Sequence, residues 1–297
     1  MTLRIGSRGS VLALWQAEHV KARLGALGHD VAIVVITTTG DRVQDRRLQS
    51  VGGKGAFLKE IEEALAADEV DLAVHSLKDV PTALPDGLRL VAILERADPR
   101  DVLLSAGAGL DALPAGSRVG TTSLRRRAQV RARRPDLDVQ DLRGNVDTRI
   151  RRLREGAFDA ILLARAGLVR LGRADEATEV LAPEVILPAP GQGAIAIECR
   201  AADGRTAAAV ATLDHAETAR AVAAERAFLA ALHGGCNVPL GAYAEPDALG
   251  LRLRGLVARE DGSRVLRGER RGSDPLALGR ALADELLAQG AAELLRP

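Results

Sequence analysis

Short apolar runs alternate along the chain with segments in which apolar side chains recur every three or four residues. Residues 13–27 have the helical spacing, and Val31–Thr37 is a β-branched run that predicts a buried strand. The same patterns predict further strands at Leu3–Ile5, Asp71–His75, Leu88–Leu94, Arg118–Gly120, Leu137–Leu142, Ala160–Ala164 and Ala194–Cys199, and further helices around Phe57–Leu65, Ser123–Arg134, Asn145–Glu155 and Ala166–Leu171. Alternating strands and helices indicate an α/β fold with largely parallel sheets.

The last third of the chain follows a different pattern. Prolines at 183, 188 and 190 predict a linker, after which Ala194–Cys199 is expected to rejoin the first group of strands. An alanine-rich helix over Thr218–Leu232 comes next. Three strand-like runs and a last helix then follow, at Pro239–Ala244, Leu251–Ala258, Arg264–Glu269 and Leu276–Leu287. A meander with flanking helices is typical of an α+β unit.

Charge and composition argue against several classes of function. The net charge is +1, so no overall field attracts nucleic acid or a membrane surface, and five aromatic residues are too few for base-stacking platforms. Two cysteines, Cys199 and Cys236, do not make a disulfide framework, and no histidines stand at metal-ligand spacing. The first residues lack the apolar run of a signal peptide, and no stretch is long enough for a membrane span. These features predict a cytoplasmic protein without a metal.

Arginine clusters at three predicted helix starts. A helix N-terminus already carries free N–H groups and the positive end of the dipole, so arginine there suits a site that binds an anion. The turns are Gly6–Ser10, Gly120–Arg126 and Arg143–Arg149. They favour a cleft for a polyanionic small molecule, although solvated helix faces are the alternative.

Two other segments carry candidate chemistry. Asp79 follows an apolar strand within His75–Pro81, where it could stabilise a cation or relay a proton, or simply cap its own turn. Cys236 lies in the glycine-rich turn Gly234–Pro239 and becomes nucleophilic if nearby cations lower its pKa, whereas Cys199 ends an apolar strand and is expected in the core. Gly52–Gly55 resembles a phosphate-binding loop only superficially, because it lacks the required glycine and hydroxyl positions.

Together these segments resemble the porphobilinogen deaminase family. The matching segments are Gly6–Ser10 with Leu12–Gln16, Val51–Phe57, His75–Pro81, Gly120–Arg126, Leu142–Arg149, Leu187–Ala194 and Gly234–Gly241. The resemblance implies two α/β lobes with mixed sheets, like those of periplasmic binding proteins, and a smaller α+β C-terminal domain. Domain 1 is then expected at 1–94 and 194–213, domain 2 at 95–193 and domain 3 at 214–297.

The resemblance also implies a transferase. Such an enzyme condenses four porphobilinogen molecules head to tail with loss of ammonia and releases the linear tetrapyrrole hydroxymethylbilane by hydrolysis. The growing chain extends a dipyrromethane cofactor, which the enzyme assembles from its substrate and holds through a thioether to Cys236. A monomer that passes its product to uroporphyrinogen-III synthase is expected, with no nucleic-acid or membrane partner.

The site residues follow from the same resemblance. Asp79 matches a catalytic aspartate that steadies pyrrole nitrogens and an azafulvene-like cation. The cofactor-binding residues besides Cys236 are Lys78, Arg125, Arg126, Ser123, Thr121 and Ser76. The substrate-binding residues are Arg8, Arg143, Arg149, Arg170, Lys54 and Gln192. Arg165 departs from the family pattern, where a small or apolar residue is usual, and is expected either to disturb strand packing or to add a cation.

Two other functions remain open at the level of sequence. A two-lobed protein that only binds a polycarboxylate would explain the arginines but leaves Cys236 without a role. Nucleic-acid binding through Ser123–Arg134, which contains six arginines, is opposed by the balanced charge and the scarcity of aromatics.

Overall fold

A computed structural model describes residues 2–38, 58–232 and 238–295. Its strands are β1 (Leu3–Ser7), β2 (Val31–Val35), β3 (Leu72–Ser76), β4 (Leu88–Ile93), β5 (Asp101–Ser105), β6 (Arg118–Gly120), β7 (Asp138–Gln140), β8 (Ala160–Ala164), β9 (Glu179–Leu181), β10 (Ile195–Arg200), β11 (Leu240–Asp247), β12 (Gly250–Ala258) and β13 (Val265–Gly272). Its α-helices are α1 (Val11–Ala26), α2 (Lys59–Ala66), α3 (Leu124–Arg133), α4 (Val146–Arg154), α5 (Arg165–Arg170), α6 (Gly204–Val210), α7 (Ala216–Ala231), α8 (Pro275–Ala288) and α9 (Ala291–Leu294).

The first compact unit comprises residues 1–97 and 194–219 and is built on one five-stranded sheet in the order β2-β1-β3-β10-β4. Strand β1 runs parallel to β2 and β3, whereas β10 runs antiparallel to both β3 and β4. The expectation that the segment after the proline linker rejoins the first strands is therefore confirmed.

The second compact unit comprises residues 98–193 and 220–297 and contains two sheets. Its five-stranded sheet has the order β7-β6-β8-β5-β9, with β6 parallel to β7 and β8, and β5 antiparallel to β8 and β9. Strands β11, β12 and β13 form an antiparallel meander, as predicted. The division into three domains stays a prediction.

Both five-stranded sheets follow the same plan: the second strand in the order has two parallel neighbours, and the fourth strand runs antiparallel to both of its neighbours. The α/β fold with mixed sheets and an α+β C-terminal part is confirmed, but the expectation of largely parallel sheets was wrong. Alternation of strands and helices could not reveal it, because each antiparallel strand enters its sheet from a distant part of the sequence. Strands β5 and β9 and helix α6 were not predicted at all, since each shows only a short apolar signal.

Aliphatic side chains fill the cores, as the scarcity of aromatics requires. In the first sheet Leu72 and Val74 face one hydrophobic cluster while Ala73 faces another, as a strand buried on both sides requires. In the C-terminal part Phe228 is fully buried against the meander. A Cβ at Gly255 would lie 2.7 Å from its ring, so the glycine makes room for the phenyl group. Among the described residues no helix is long and apolar enough to cross a membrane.

Candidate active site

One edge of the second unit's five-stranded sheet gathers the predicted polar residues. The parallel strands β6, β7 and β8 all end at this edge, and the antiparallel strand β5 begins there, with Asp101 paired to Ala164. Ligands of open α/β sheets bind outside the carboxyl ends of such strands. The turns after β6 and β7 therefore bring residues 121–123 and 141–145 to the same side of the sheet.

The helices that start at this edge are capped by their own turns. Ser123 Oγ accepts a hydrogen bond from the backbone N–H of Arg126 at 3.5 Å, and Thr121 Oγ1 accepts one from Ser123 N–H at 3.2 Å. Asn145 Oδ1 caps α4 by accepting from Thr148 N–H at 2.9 Å. Side chains thus satisfy some of the free N–H groups at both helix starts.

Arg125 and Arg126 are both buried at the start of α3, and both bind one carboxylate. Arg125 Nη1 donates to Asp101 Oδ2 at 2.6 Å and to the backbone oxygen of Leu187 at 2.7 Å. Arg126 donates to Asp101 Oδ1 from Nε at 3.1 Å and from Nη2 at 2.7 Å, and to Leu162 O from Nη1 at 3.0 Å. Asp101 is inaccessible to solvent, and the two arginines are 4% and 5% exposed.

These charges keep Asp101 ionised. Burial alone would raise the pKa of its carboxyl, but the positive charges of Arg125 and Arg126 and their hydrogen bonds outweigh that effect. The pKa of Asp101 consequently lies well below its usual value. One carboxylate balances only one of the two guanidinium charges, so the cluster retains a net positive charge.

Gln192 and Arg170 join this cluster through a tight turn at 190–193. Gln192 Nε2 donates to Asp101 Oδ1 at 2.9 Å and to Pro99 O at 2.6 Å. Arg170 Nη2 donates to Gly193 O, the next residue along the turn, at 2.6 Å. Burial lowers the pKa of Arg170 to about 10. The same exclusion of water strengthens the attraction between its guanidinium group and an anion.

Arg143 and Arg149 lie at the same edge, beside the turn into α4. Both are half-buried, and Arg149 Nε donates to Gly144 O at 2.8 Å. Gly144 has a φ of +105°, a conformation that favours glycine. The strand register places these two arginines at the same edge of the sheet as the Asp101 cluster.

The first unit has a matching polar edge. Strands β1 and β3 are parallel and end there, β1 running into Arg8 and β3 ending at Ser76, which pairs with the first residue of the antiparallel β10. Ser10 caps α1, because its Oγ accepts a hydrogen bond from Ala13 N–H at 3.3 Å. Arg8 is half-buried at the start of this turn.

The segment after β3 carries three predicted site residues. A short 3-10 helix, Leu77–Asp79, follows Ser76 directly and leaves Asp79 exposed and Lys78 half-buried. The buried amide of Gln16 donates from Nε2 to Ser76 Oγ at 2.9 Å. The structure therefore places Ser76, Lys78 and Asp79 at a strand end, as their sequence motif predicted.

The sequence also singled out four other positions, Lys54, Cys199, Cys236 and Arg165. Lys54 and Cys236 lie outside the described residues. Cys199 is a buried free thiol, which confirms its place in the core. Arg165 is the first residue of α5, directly after β8, so it does not disturb that strand. Its Nε lies 3.2 Å from Asp98 Oδ2, and Asp98 also pairs with Arg100, so Arg165 adds a second cation to this ion pair.

Two residues of these edges were missed by sequence reasoning. Asp101 is a charge that opens the short apolar run of β5, a signal that could have marked it. Gln16 occupies the buried face of α1 beside Ala17 and Val20, where a polar residue should have drawn notice. No cluster of metal-ligating side chains was found among the described residues.

Comparisons with known proteins point in one direction. Two family models match the chain: "Porphobilinogen deaminase, dipyromethane cofactor binding domain" over residues 3–208, and "Porphobilinogen deaminase, C-terminal domain" over residues 219–288. Curated porphobilinogen deaminases of two strains of Acidithiobacillus ferrooxidans are each 54% identical over 297 residues, covering 99% of this chain and 97% of theirs.

Solved structures give a weaker likeness. A periplasmic substrate-binding protein of an ABC transporter from Coxiella burnetii matches with a TM-score of 0.45 and 15% identity, over 71% of this chain and 91% of its own. The methionine binding protein MetQ matches with a TM-score of 0.46 and 13% identity, over 71% and 89%.

Proposed function

The chain belongs to the porphobilinogen deaminase family, the transferases that assemble a linear tetrapyrrole from porphobilinogen, and on that premise we propose how its own residues serve the reaction. Four porphobilinogen molecules are condensed head to tail with release of ammonia. They extend a dipyrromethane primer held through a thioether to Cys236, and hydrolysis releases hydroxymethylbilane.

The observation that carries this proposal is the buried arginine cluster at the edge of the second sheet. Each pyrrole unit carries two carboxylates, so a growing chain adds negative charge at every step. Guanidinium forks are suited to carboxylates, and the donor set at this edge fits a group of that chemistry. When bound, dipyrromethane supplies the end to which new pyrrole units are joined.

We assign the second unit's residues to holding carboxylates. Arg125 and Arg126, with Ser123 and Thr121 at the start of the same helix, hold the primer. The substrate and the growing chain are bound by Arg143, Arg149, Arg170 and Gln192. Because Asp101 balances only one of the two charges on Arg125 and Arg126, the net positive charge of the cluster can still attract an added carboxylate.

The first unit contributes the acid–base group. Asp79 faces solvent at a strand end, next to Lys78 and Ser76, where an ionised carboxylate can stabilise positive charge that develops on a pyrrole and accept its proton. Arg8 binds substrate carboxylates, and Gln16 orients the Ser76 hydroxyl. Lys54 is assigned to substrate from the sequence motif alone.

We further propose that the protein acts as a cytoplasmic monomer and passes hydroxymethylbilane to uroporphyrinogen-III synthase. Light scattering of the purified protein at several concentrations tests the monomer. A mass that doubles at micromolar concentration would contradict it.

The central experiment is the intact mass of the purified protein, with turnover of porphobilinogen measured on the same sample. We expect an adduct of two pyrrole units, further units after substrate is added, and ammonia in proportion. The Cys236→Ala variant should fold but carry no adduct and show no turnover. An unmodified wild-type chain without turnover would support a two-lobed polycarboxylate-binding protein instead, and salt-sensitive binding of DNA or RNA would support a nucleic-acid function.

A further inference from the structure

A carboxylate with no role in the assignments above lies buried on helix α7. Glu225 is inaccessible to solvent, on the helix face that also carries Ala221, Ala224 and Phe228. Its Oε2 accepts a hydrogen bond from Gly191 N–H at 2.6 Å, and its Oε1 accepts one from Ala244 N–H at 2.8 Å. All these residues belong to the second compact unit.

The two bonds join three separate pieces of chain. Glu225 is on α7, which ends at Ala231, shortly before the segment that contains Cys236. Ala244 is on β11, which begins at Leu240, just after that segment. The carboxylate therefore fixes the helix before Cys236 to the strand after it.

The third piece is the turn that carries Gln192. Gly191 precedes Gln192, whose Nε2 donates to Asp101 Oδ1 at 2.9 Å, and Asp101 holds both Arg125 and Arg126. Gly191, which donates to Glu225, is therefore the chain neighbour of Gln192, which donates to the arginine cluster. Glu225 is thus one side chain that links α7 and β11 to the turn beside the cluster, in addition to the bond from Ala242 N–H to Pro188 O.

A carboxylate suits this place better than an uncharged side chain. Two N–H donors approach from different elements, and a carboxylate offers an oxygen to each, whereas an amide of the same length offers one oxygen and presents an N–H group to the other donor. Bonds to an ionised acceptor are also stronger in a dry interior.

We propose that Glu225 is a positioning residue, which fixes both flanks of the Cys236 segment against the turn and arginine cluster that hold the primer. The proposal rests on the proposed function, since it takes Cys236 as the primer's anchor. Precise placement of a reacting group strongly affects rate, so a small shift of the anchor should lower turnover before it unfolds the protein.

The test compares Glu225→Gln with Glu225→Asp, which keeps the charge but is one methylene too short to reach both donors. Each variant is measured for the fraction of chains that carry the two-pyrrole adduct, for kcat per loaded chain, and for the midpoint of urea unfolding. Both variants should load less primer and turn over more slowly, on the order of tenfold per loaded chain.

Glu179→Gln is the matched control, because Glu179 Oε2 also accepts a backbone N–H, that of Leu110 at 2.7 Å, in the same unit. It should lower the urea midpoint while leaving loading and kcat per loaded chain unchanged. Wild-type loading and kcat in both Glu225 variants would overturn the positioning role, and so would full recovery in Glu225→Asp. A wild-type protein that carries no adduct would instead remove the proposed function on which this inference rests.

Discussion

The guanidinium group of Arg126 donates two hydrogen bonds to Asp101 Oδ1, at 3.1 Å from Nε and 2.7 Å from Nη2. The other carboxylate oxygen of Asp101, Oδ2, accepts a hydrogen bond from Arg125. The three side chains form a buried ion triad at the edge of a sheet. Such a triad adds little to stability as a whole, but removal of one member leaves charge without compensation in a dry site. Under the proposed function, this triad fixes two arginines where a carboxylate of the primer would be bound.

Asp101→Asn should destabilise the protein by about 3–5 kcal/mol at neutral pH, because it leaves two buried guanidinium charges without their carboxylate. The pKa of Asp101 is lower in the folded than in the unfolded chain. Its contribution to the free energy of unfolding is therefore complete above about pH 4 and is lost as the pH falls further. We measure urea unfolding of the wild type and of Asp101→Asn from pH 7 to pH 3. The difference between their free energies of unfolding should become smaller only below about pH 4.

A matched control for this variant is Asp111→Asn. Asp111 pairs through both carboxylate oxygens with Arg133 on the same helix, but its side chain is 63% exposed. We expect Asp111→Asn to lower the free energy of unfolding by less than about 1 kcal/mol, because solvent screens the ion pair. Equal losses in the two variants would contradict the buried role of Asp101.

Arg126→Lys should lower the free energy of unfolding by about 1–3 kcal/mol and reduce primer loading. A lysine ammonium cannot reproduce the fork that binds Asp101 Oδ1 while also reaching Leu162 O. Urea unfolding and intact mass measure the two effects. Arg133→Lys, on the exposed side of the same helix, serves as the control, and unchanged loading in Arg126→Lys would exclude Arg126 from primer binding.

Asp79→Asn should retain the primer but lower kcat on the order of 100-fold, because the amide cannot balance positive charge on a pyrrole or take up its proton. Steady-state rates and the intact mass of the same preparation separate the two properties. Asp86→Asn, an exposed carboxylate a few residues further along the same connection, should behave as wild type. Near-normal turnover in Asp79→Asn would remove Asp79 from the mechanism.

Arg165→Val should change stability by less than about 1 kcal/mol. The side chain of Arg165 is 35% exposed, and Asp98 keeps its bonds from Arg100 Nε and Nη2 when Arg165 is removed. Turnover should also stay within about twofold, because Arg165 is paired with Asp98 rather than assigned to the substrate. A tenfold increase in KM would show instead that Arg165 binds substrate carboxylates.

The sequence by itself determined the local elements and the motifs. Strands β6 and β8 have the predicted bounds, because apolar spacing depends on residues that are neighbours in the chain. The family could be read in the same way, from short motifs in order. The clusters of arginines at the starts of α3 and α4 could be predicted because each lies within one short motif.

Only the tertiary structure decided which charges meet. Asp101 lies 24 residues before Arg125 and 91 before Gln192, and nothing in its own neighbourhood indicates that β5 enters the sheet antiparallel and places it against them. Glu225 reads in the sequence as one more polar residue of an alanine-rich helix, yet it binds two distant backbone N–H groups. Burial and ion pairing depend on which remote segments fold together. The periodicity of a single segment does not indicate which segments those are.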